Sequence, residues 1–412
     1  MNIFFVHQNY PGQFRESLPR LAADGHKITF LTQRRIQTAP RDHQVLIYKP
    51  ERDVAKDAYR FSRWFETNCV NGNSVLRAAR VLSQRGYKPD LIVGHIGWGE
   101  MMFLADVWPD VPVAGYFEYY FIPKGGSVGF DTEFPEAPDT ASLLHARNAM
   151  NYLSLVRTTR GFTASQWQKD TYPALFHDKI DVLHEGIRAD RLIPDHTSAL
   201  EVTIGDFTYR RGEEIVTYIA RNLEPTRGFH TFMRALPDLL KARPNARVVI
   251  VGGDDVSYGR SLGGGDTFRQ KLTREVFDRV DWPRVQFAGQ IPYGKLCDLL
   301  RLASAHVYLT VPFVVSWSML EAMALEKVVI ASDVAPVRQF ITPGRDGLLV
   351  DFFDPAGLAR TIARVLADPA AHAPIGAAAR QTIVERFDFN SICYPRFRAF
   401  LEGTAADGPP RP

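Results

Sequence analysis

A chain of 412 residues exceeds one ordinary hydrophobic core and accommodates two α/β domains. Its 45% hydrophobic and 23% charged residues are those of a soluble globular protein, and a formal charge of +3 gives no ground for expecting nucleic acid as a partner. Three scattered cysteines, Cys69, Cys297 and Cys393, supply neither a disulfide framework nor a metal-ligand spacing. The charge is uneven: residues 1–100 hold 15 Lys/Arg against 9 Asp/Glu, and residues 101–150 hold 2 against 7. Such an asymmetry fits a face that meets anionic lipid or a polyanionic acceptor, and fits equally well solvated charge spread over several helices. The opening MNIFFVHQNYPGQF has no basic n-region and no long apolar run, and no segment approaches the roughly 20 apolar residues of a membrane span. The expectation is a reduced, cytoplasmic chain, with peripheral contact at the inner membrane face left open.

In chain order, the first strand is NIFFVH (2–7), followed by a turn containing Gly12 and by the helical pattern QFRESLPRLAA, which ends at Asp24-Gly25. KITFLT (27–32), QVLIYK (44–49), DLIVGH (90–95), VPVAGYFE (111–118), GFTAS (161–165) and KIDVLHE (179–185) continue the series, separated by helical segments. Several are apolar without alternation, as expected of parallel strands covered on both faces. Residues 191–213 are polar and irregular and read as a linker between an N-terminal domain (1–190) and a C-terminal one (214–388). The second series is IVTYIAR (215–221), RVVIVGG (247–253), RVQFAGQ (284–290), HVYLT (306–310), VVIASD (328–333) and GLLVDF (347–352). A last helical pattern over about 389–402 packs back on the first domain in this reading, and 403–412 is expected to be disordered. The predicted fold is α/β, two Rossmann-like doubly wound domains facing across a cleft, with ligands at the carboxyl ends of the strands.

Three segments carry a family resemblance. They are YIARNLEPTRGFHTFMRALP (218–237), RVVIVGGDD (247–255) with the strand–helix–strand after it, and VPFVVSWSMLEAMALEKVVIASDVAPVRQFITPGRDGLLVDFFDPAGLARTIARVLADP. Together they resemble the nucleotide-sugar half of retaining glycosyltransferase family 4, which has the B-type glycosyltransferase (GT-B) fold. HQNYPGQF and GHIGWGEMMFLADVWPDVPVAGYFEYYF resemble one bacterial branch of it. The resemblance implies a hexosyltransferase moving a sugar from a UDP- or GDP-linked donor to a glycan, lipid-linked or other hydroxyl acceptor, with no cofactor. It also implies that arginines and amides, with no metal ion, hold the diphosphate.

The residues themselves suit that chemistry. A departing diphosphate needs fixed positive charge and backbone donors. Arg221 ends a strand and Arg227 precedes Gly228 at a helix start, and the resemblance gives both the diphosphate contact. Ser316, Trp317 and Ser318 open a helix whose free N–H groups form a natural phosphate site. Glu321 inside that helix is the carboxylate the family uses on the ribose, with an ordinary surface glutamate as the plain alternative. Phe313 stands where many members have a second glutamate, eight residues earlier. Gly253 ends a strand, and Ile291-Pro292 resemble the base-binding loop. Gly12 lets a ligand approach the backbone closely. His95 and Glu118, at the ends of the fourth and fifth strands, are the candidate acceptor-side catalytic groups; burial among YFEYYF would raise the Glu118 pKa, and a salt-bridged core carboxylate fits the same residue equally well. Asp254-Asp255 resembles a metal-binding pair but sits where acidic strand–helix loops are common.

Overall fold

The structure, a computed structural model, describes residues 1–196 and 200–410. Residues 197–199 of the expected linker and 411–412 of the expected tail lie outside the described residues. The chain divides into two compact units, Met1–Gly186 with Phe389–Pro412, and Ile187–Asp388.

The first unit is built on a parallel sheet in the order β3-β2-β1-β4-β5-β6-β7. Its strands are β1 (Asn2–Val6), β2 (Lys27–Thr32), β3 (Gln44–Ile47), β4 (Leu91–His95), β5 (Val113–Tyr116), β6 (Arg160–Thr163) and β7 (Ile180–Val182). Alternation along β1 feeds two cores, one on each face of the sheet. Ile3 and Phe5 join Phe14, Phe30 and Phe162, while Phe4 and Val6 join Val75, Ile92 and Trp108. The first core is completed by Phe389, Tyr394, Phe397, Phe400 and Leu401, from the chain's C-terminal end. The helix that carries most of them, Tyr394–Asp407, continues through residues 403–407, which corrects the expectation of disorder there. Phe397 and Phe400 fall on its buried face with Leu401, so the helix is held by the core beneath it.

The second unit repeats the plan with the order β12-β11-β10-β13-β14-β15. Here the strands are β10 (Ile215–Asn222), β11 (Arg247–Gly253), β12 (Val285–Gly289), β13 (Ala305–Tyr308), β14 (Val328–Ser332) and β15 (Leu348–Val350). Ahead of them, the segment expected as an irregular linker forms an antiparallel hairpin, β8 (Glu201–Ile204) and β9 (Phe207–Arg210). Val202, Ile204 and Tyr209 turn inward, Gln286 of β12 donates to the Ile204 carbonyl at 2.7 Å, and the Arg247 guanidinium lies 4.3 Å from the Tyr209 ring centre. Each parallel sheet reverses direction beside its first strand, at β1/β4 and at β10/β13. On the two sides of such a switch the connections leave in opposite senses, which opens a crevice at the carboxyl ends of the strands.

Candidate active site

At the β10/β13 switch, the turn Pro225–Arg227 leads through Gly228, at φ +64°, into the helix Phe229–Ala242. A Cβ at Gly228 would lie 2.4 Å from the Leu309 side chain, so the turn requires glycine on both counts. The turn sends the Arg227 side chain inward, where only 8% of the residue is exposed. Its Nη1 donates to the Tyr308 hydroxyl at 3.0 Å, to Thr310 Oγ1 at 2.9 Å and to the Val314 carbonyl at 3.0 Å. The rings of Tyr258 and Phe313 lie 5.2 and 5.7 Å from the guanidinium carbon. Among the described residues Arg227 pairs with no carboxylate. Burial opposes its charge, but the surrounding Tyr308, Tyr258 and Glu224 more than offset that and leave its pKa raised. Arg221 lies three residues past the Tyr218 whose hydroxyl donates to the Arg227 carbonyl; it is exposed, and its side chain has no partner among the described residues.

The helix Trp317–Ala324 begins beside this arginine. Ser316 caps it by accepting from the Ser318 N–H, and the Ser316 N–H donates to the same Tyr308 hydroxyl at 2.7 Å. Arg227 therefore fixes the helix start through Tyr308 and Val314. Glu321 on this helix is buried, not a surface glutamate, and accepts from the Tyr293 hydroxyl at 2.8 Å. Pro292, preceded by half-buried Ile291, caps the helix Tyr293–Leu302 that supplies this tyrosine. Gly253 ends β11, where a Cβ would meet Asn222 Oδ1 at 2.5 Å. Asp254 is held by Arg269 at 2.6 Å. Glu224 carries no local signal in the sequence: wholly buried, it accepts from the N–H groups of Ser257, Tyr258 and Gly259 at 3.1, 3.1 and 2.9 Å. That carboxylate holds the loop which lays Tyr258 over Phe313, ring centres 4.8 Å apart.

At the β1/β4 switch of the first unit, His7 and His95 stand with ring centres 5.1 Å apart. The Gly97 N–H donates to His95 Nδ1 at 2.8 Å, so Nε2 carries the ring proton and donates to Glu118 Oε2 at 3.1 Å. Gln13 donates to the other carboxylate oxygen at 3.3 Å. Glu118 lies two residues past the end of β5, with 31% of its side chain accessible. Burial does push its pKa up, but the hydrogen bond from His95, the electrostatic influence of His95 and His7 and the Gln13 contact outweigh it. The carboxyl is held below its ordinary value, which overturns the rise expected from burial alone and makes it an acceptor of protons and hydrogen bonds at neutral pH. His7, by contrast, is buried and lowered to about 3, first by burial and then by His95, so it stays neutral. Gly12, at φ +56°, lies directly against its ring: a Cβ there would meet His7 Nε2 at 3.0 Å. The glycine serves this contact and the turn.

Two family models match in succession, the glycosyl transferase family 4 group over residues 24–192 and the glycosyl transferases group 1 over residues 206–382. The chain belongs to the GT-B glycosyltransferases. This glycosyltransferase is 25% identical to D-inositol 3-phosphate glycosyltransferase of Streptomyces scabiei over 69% of its own length and 60% of that protein. It is 24% identical to glycogen synthase of Mycobacterium tuberculosis over 100% of the chain and 97% of the relative. Among solved structures, sucrose-phosphate synthase of Thermosynechococcus elongatus superposes with a TM-score of 0.73 at 18% identity, covering 98% of this chain and 100% of that one. Anabaena HepE in complex with UDP and glucose gives 0.70 at 16% identity, with 98% and 100% covered. In this glycosyltransferase Arg227 meets the helix start at Ser316 at one switch point, and His95, Glu118 and Gly12 cluster at the other, one set in each unit. Among the described residues no helix is long and apolar enough to cross a membrane.

Proposed function

We propose that the protein is a retaining, metal-independent hexosyltransferase that uses a UDP- or GDP-linked sugar, with the donor on the second unit and the acceptor on the first. One observation carries the donor side. Arg227 is a buried cation whose hydrogen-bond partners are all neutral, next to a capped helix start, with exposed Arg221 on the strand before it. The site keeps this arginine charged while pairing it with no carboxylate among the described residues, so it remains open to an anionic ligand. A diphosphate is such a ligand, and its negative charge grows as the glycosidic bond breaks, so the same groups act more strongly in the transition state. With this positive charge built in, no metal ion is required to neutralise the leaving group. Gly253, Ile291, Pro292, Trp317 and Glu321 then surround the nucleoside.

On the first unit, Glu118 and His95 receive the acceptor hydroxyl. The acceptor attacks on the face the diphosphate leaves, a phosphate oxygen takes its proton, and no protein nucleophile is needed. The UDP and glucose of HepE and the inositol phosphate and glycogen in the relatives' names support nucleotide sugars as donors and polyol or glycan acceptors. Polysaccharide or glycolipid synthesis at the cytoplasmic membrane face is the role we propose for it. Thermal unfolding with UDP, GDP, ADP and TDP in turn, each with EDTA, tests the donor site: one base is expected to protect selectively. Arg221→Ala is expected to lower sugar transfer by orders of magnitude while the fold persists, and unchanged transfer would remove Arg221 from the site.

A further inference from the structure

A second cation in this molecule also lacks a counter-ion. Arg147, on the helix Thr140–Val156 of the first unit, lies with its guanidinium carbon 3.9 Å from the Phe121 ring centre and 4.3 Å from that of Trp64. Its position is built, not incidental. The neighbouring Asn148 clamps Phe121 by donating to its carbonyl at 2.7 Å and accepting from its N–H at 3.1 Å. Trp64 meets Trp98 at 5.9 Å between ring centres, and Trp98 stacks on His95 at 5.4 Å. A continuous run of rings thus joins Arg147 to the His95–Glu118 pair.

Two polar atoms in this run are buried without partners, Arg147 Nε and Trp98 Nε1. Among the described residues Arg147 makes no ion pair and no hydrogen bond. Both orphaned atoms are donors, so the missing component is an acceptor of hydrogen bonds, and beside a guanidinium the matching acceptor is an oxyanion. Burial lowers the Arg147 pKa only to about 10, so it remains a cation at neutral pH.

We propose that Arg147, with Trp64, Trp98 and Phe121, forms a subsite for an oxyanion carried by the acceptor, a phosphate ester or a carboxylate. The proposal rests on the first unit being the acceptor-binding unit. An acceptor anchored there by its charged group presents a hydroxyl toward Glu118 along the ring run, and an uncharged acceptor lacks the anchor.

The test keeps the donor site out of the measurement. The protein is saturated with UDP, then titrated with inorganic phosphate and, separately, with glucuronate, following tryptophan fluorescence and heat. Saturable binding is expected for at least one probe, and which one responds distinguishes phosphate ester from carboxylate. Arg147→Gln is expected to weaken it about ten- to hundredfold, the worth of hydrogen bonds to a charged group, with protection by UDP unchanged. Arg147→Lys, which keeps the charge but loses the planar fork, is expected to fall between. No saturable response in the wild-type protein, or the same response in Arg147→Gln, overturns the subsite. Should Arg147→Gln fail to fold, the wild-type titration and the lysine variant decide. Failure of UDP, GDP, ADP and TDP alike to protect would instead refute the donor assignment, and titration without nucleotide would still read Arg147.

Discussion

Replacing Arg227 by methionine separates a structural arginine from one that awaits an anion. The side chain keeps its approximate volume but loses the charge and the Nη1 contacts to Tyr308, Thr310 and Val314. Hydrogen bonds from a charged donor are worth about 1.5–3 kcal/mol, while removing the guanidinium also removes the burial that opposes its charge. The two effects oppose each other, and the unliganded stability is expected to change by no more than about 2 kcal/mol. Ligand binding has no such compensation. Losing one charge-assisted contact of about 2 kcal/mol weakens a nucleoside diphosphate about 30-fold. A concentration about 100 times the wild-type Kd adds roughly 2.7 kcal/mol to the wild-type protein and only about 0.9 to the variant. For a unit the size of Ile187–Asp388, at roughly 2–4 °C per kcal/mol, protection falls from about 5–11 °C to about 2–4 °C. Differential scanning calorimetry with and without the selected nucleotide measures both quantities. A folded variant that the nucleotide protects as well as it protects the wild type would refute the argument.

Two buried neutral histidines predict an acid-side loss of stability. His7 and His306 are each lowered to about 3, chiefly by burial, so the folded chain stays unprotonated where the unfolded chain takes up protons near pH 6.5. Stability is therefore complete above about pH 6.5 and falls as pH drops toward 3, with a limiting slope on the order of 1.4 kcal/mol per pH unit for each group. Urea midpoints at pH 7.5 and 5.5 measure the slope, and His306→Phe is expected to flatten it for the second unit; equal midpoints in the wild type contradict the prediction. Phe397→Ala removes a ring that contacts Phe14 and Phe162 in the first unit. A loss of about 3–5 kcal/mol is expected in that unit, with nucleotide protection of the second unit intact. A joint loss of both would show that the C-terminal helix supports more than the first core.

The strands were legible because buried parallel strands leave an unambiguous signature, short apolar runs such as LIVGH and VVIVGG between longer amphipathic stretches. The hairpin β8–β9 escaped because its strands are four residues each, too short to stand out in a polar segment. Its signal was still present, in VTI and FTY alternating on either side of Gly205-Asp206. For Glu118 the local sequence leaves two readings open. Its aromatic sequence neighbours suggested desolvation, but the partner that sets its pKa, His95, is 23 residues away and meets it only across two adjacent strands. Arg147 and Glu224 depend likewise on groups remote in sequence, Trp64 for one and the amides of Ser257–Gly259 for the other. Residue type and local spacing identify which side chains are able to do chemistry. Long-range pairing decides their charge state.

Phe313 shows the consequence most directly. A carboxylate at this position would stand beside Arg227, whose guanidinium carbon is 5.7 Å from the present ring, and would serve as its internal counter-ion. Phenylalanine leaves that charge unspent. Glu224, the carboxylate that does lie near, directs its oxygens to the three loop amides, and those contacts hold Tyr258 against Phe313. The two ring faces and the Tyr258 hydrogen bond favour the guanidinium's charge but do not neutralise it. Exchanging a carboxylate for an aromatic ring at this place thus strengthens the demand for an anionic ligand. The substitution alters what the site offers a sugar hydroxyl, while the attraction for a diphosphate is carried by arginines that the ring leaves uncompensated.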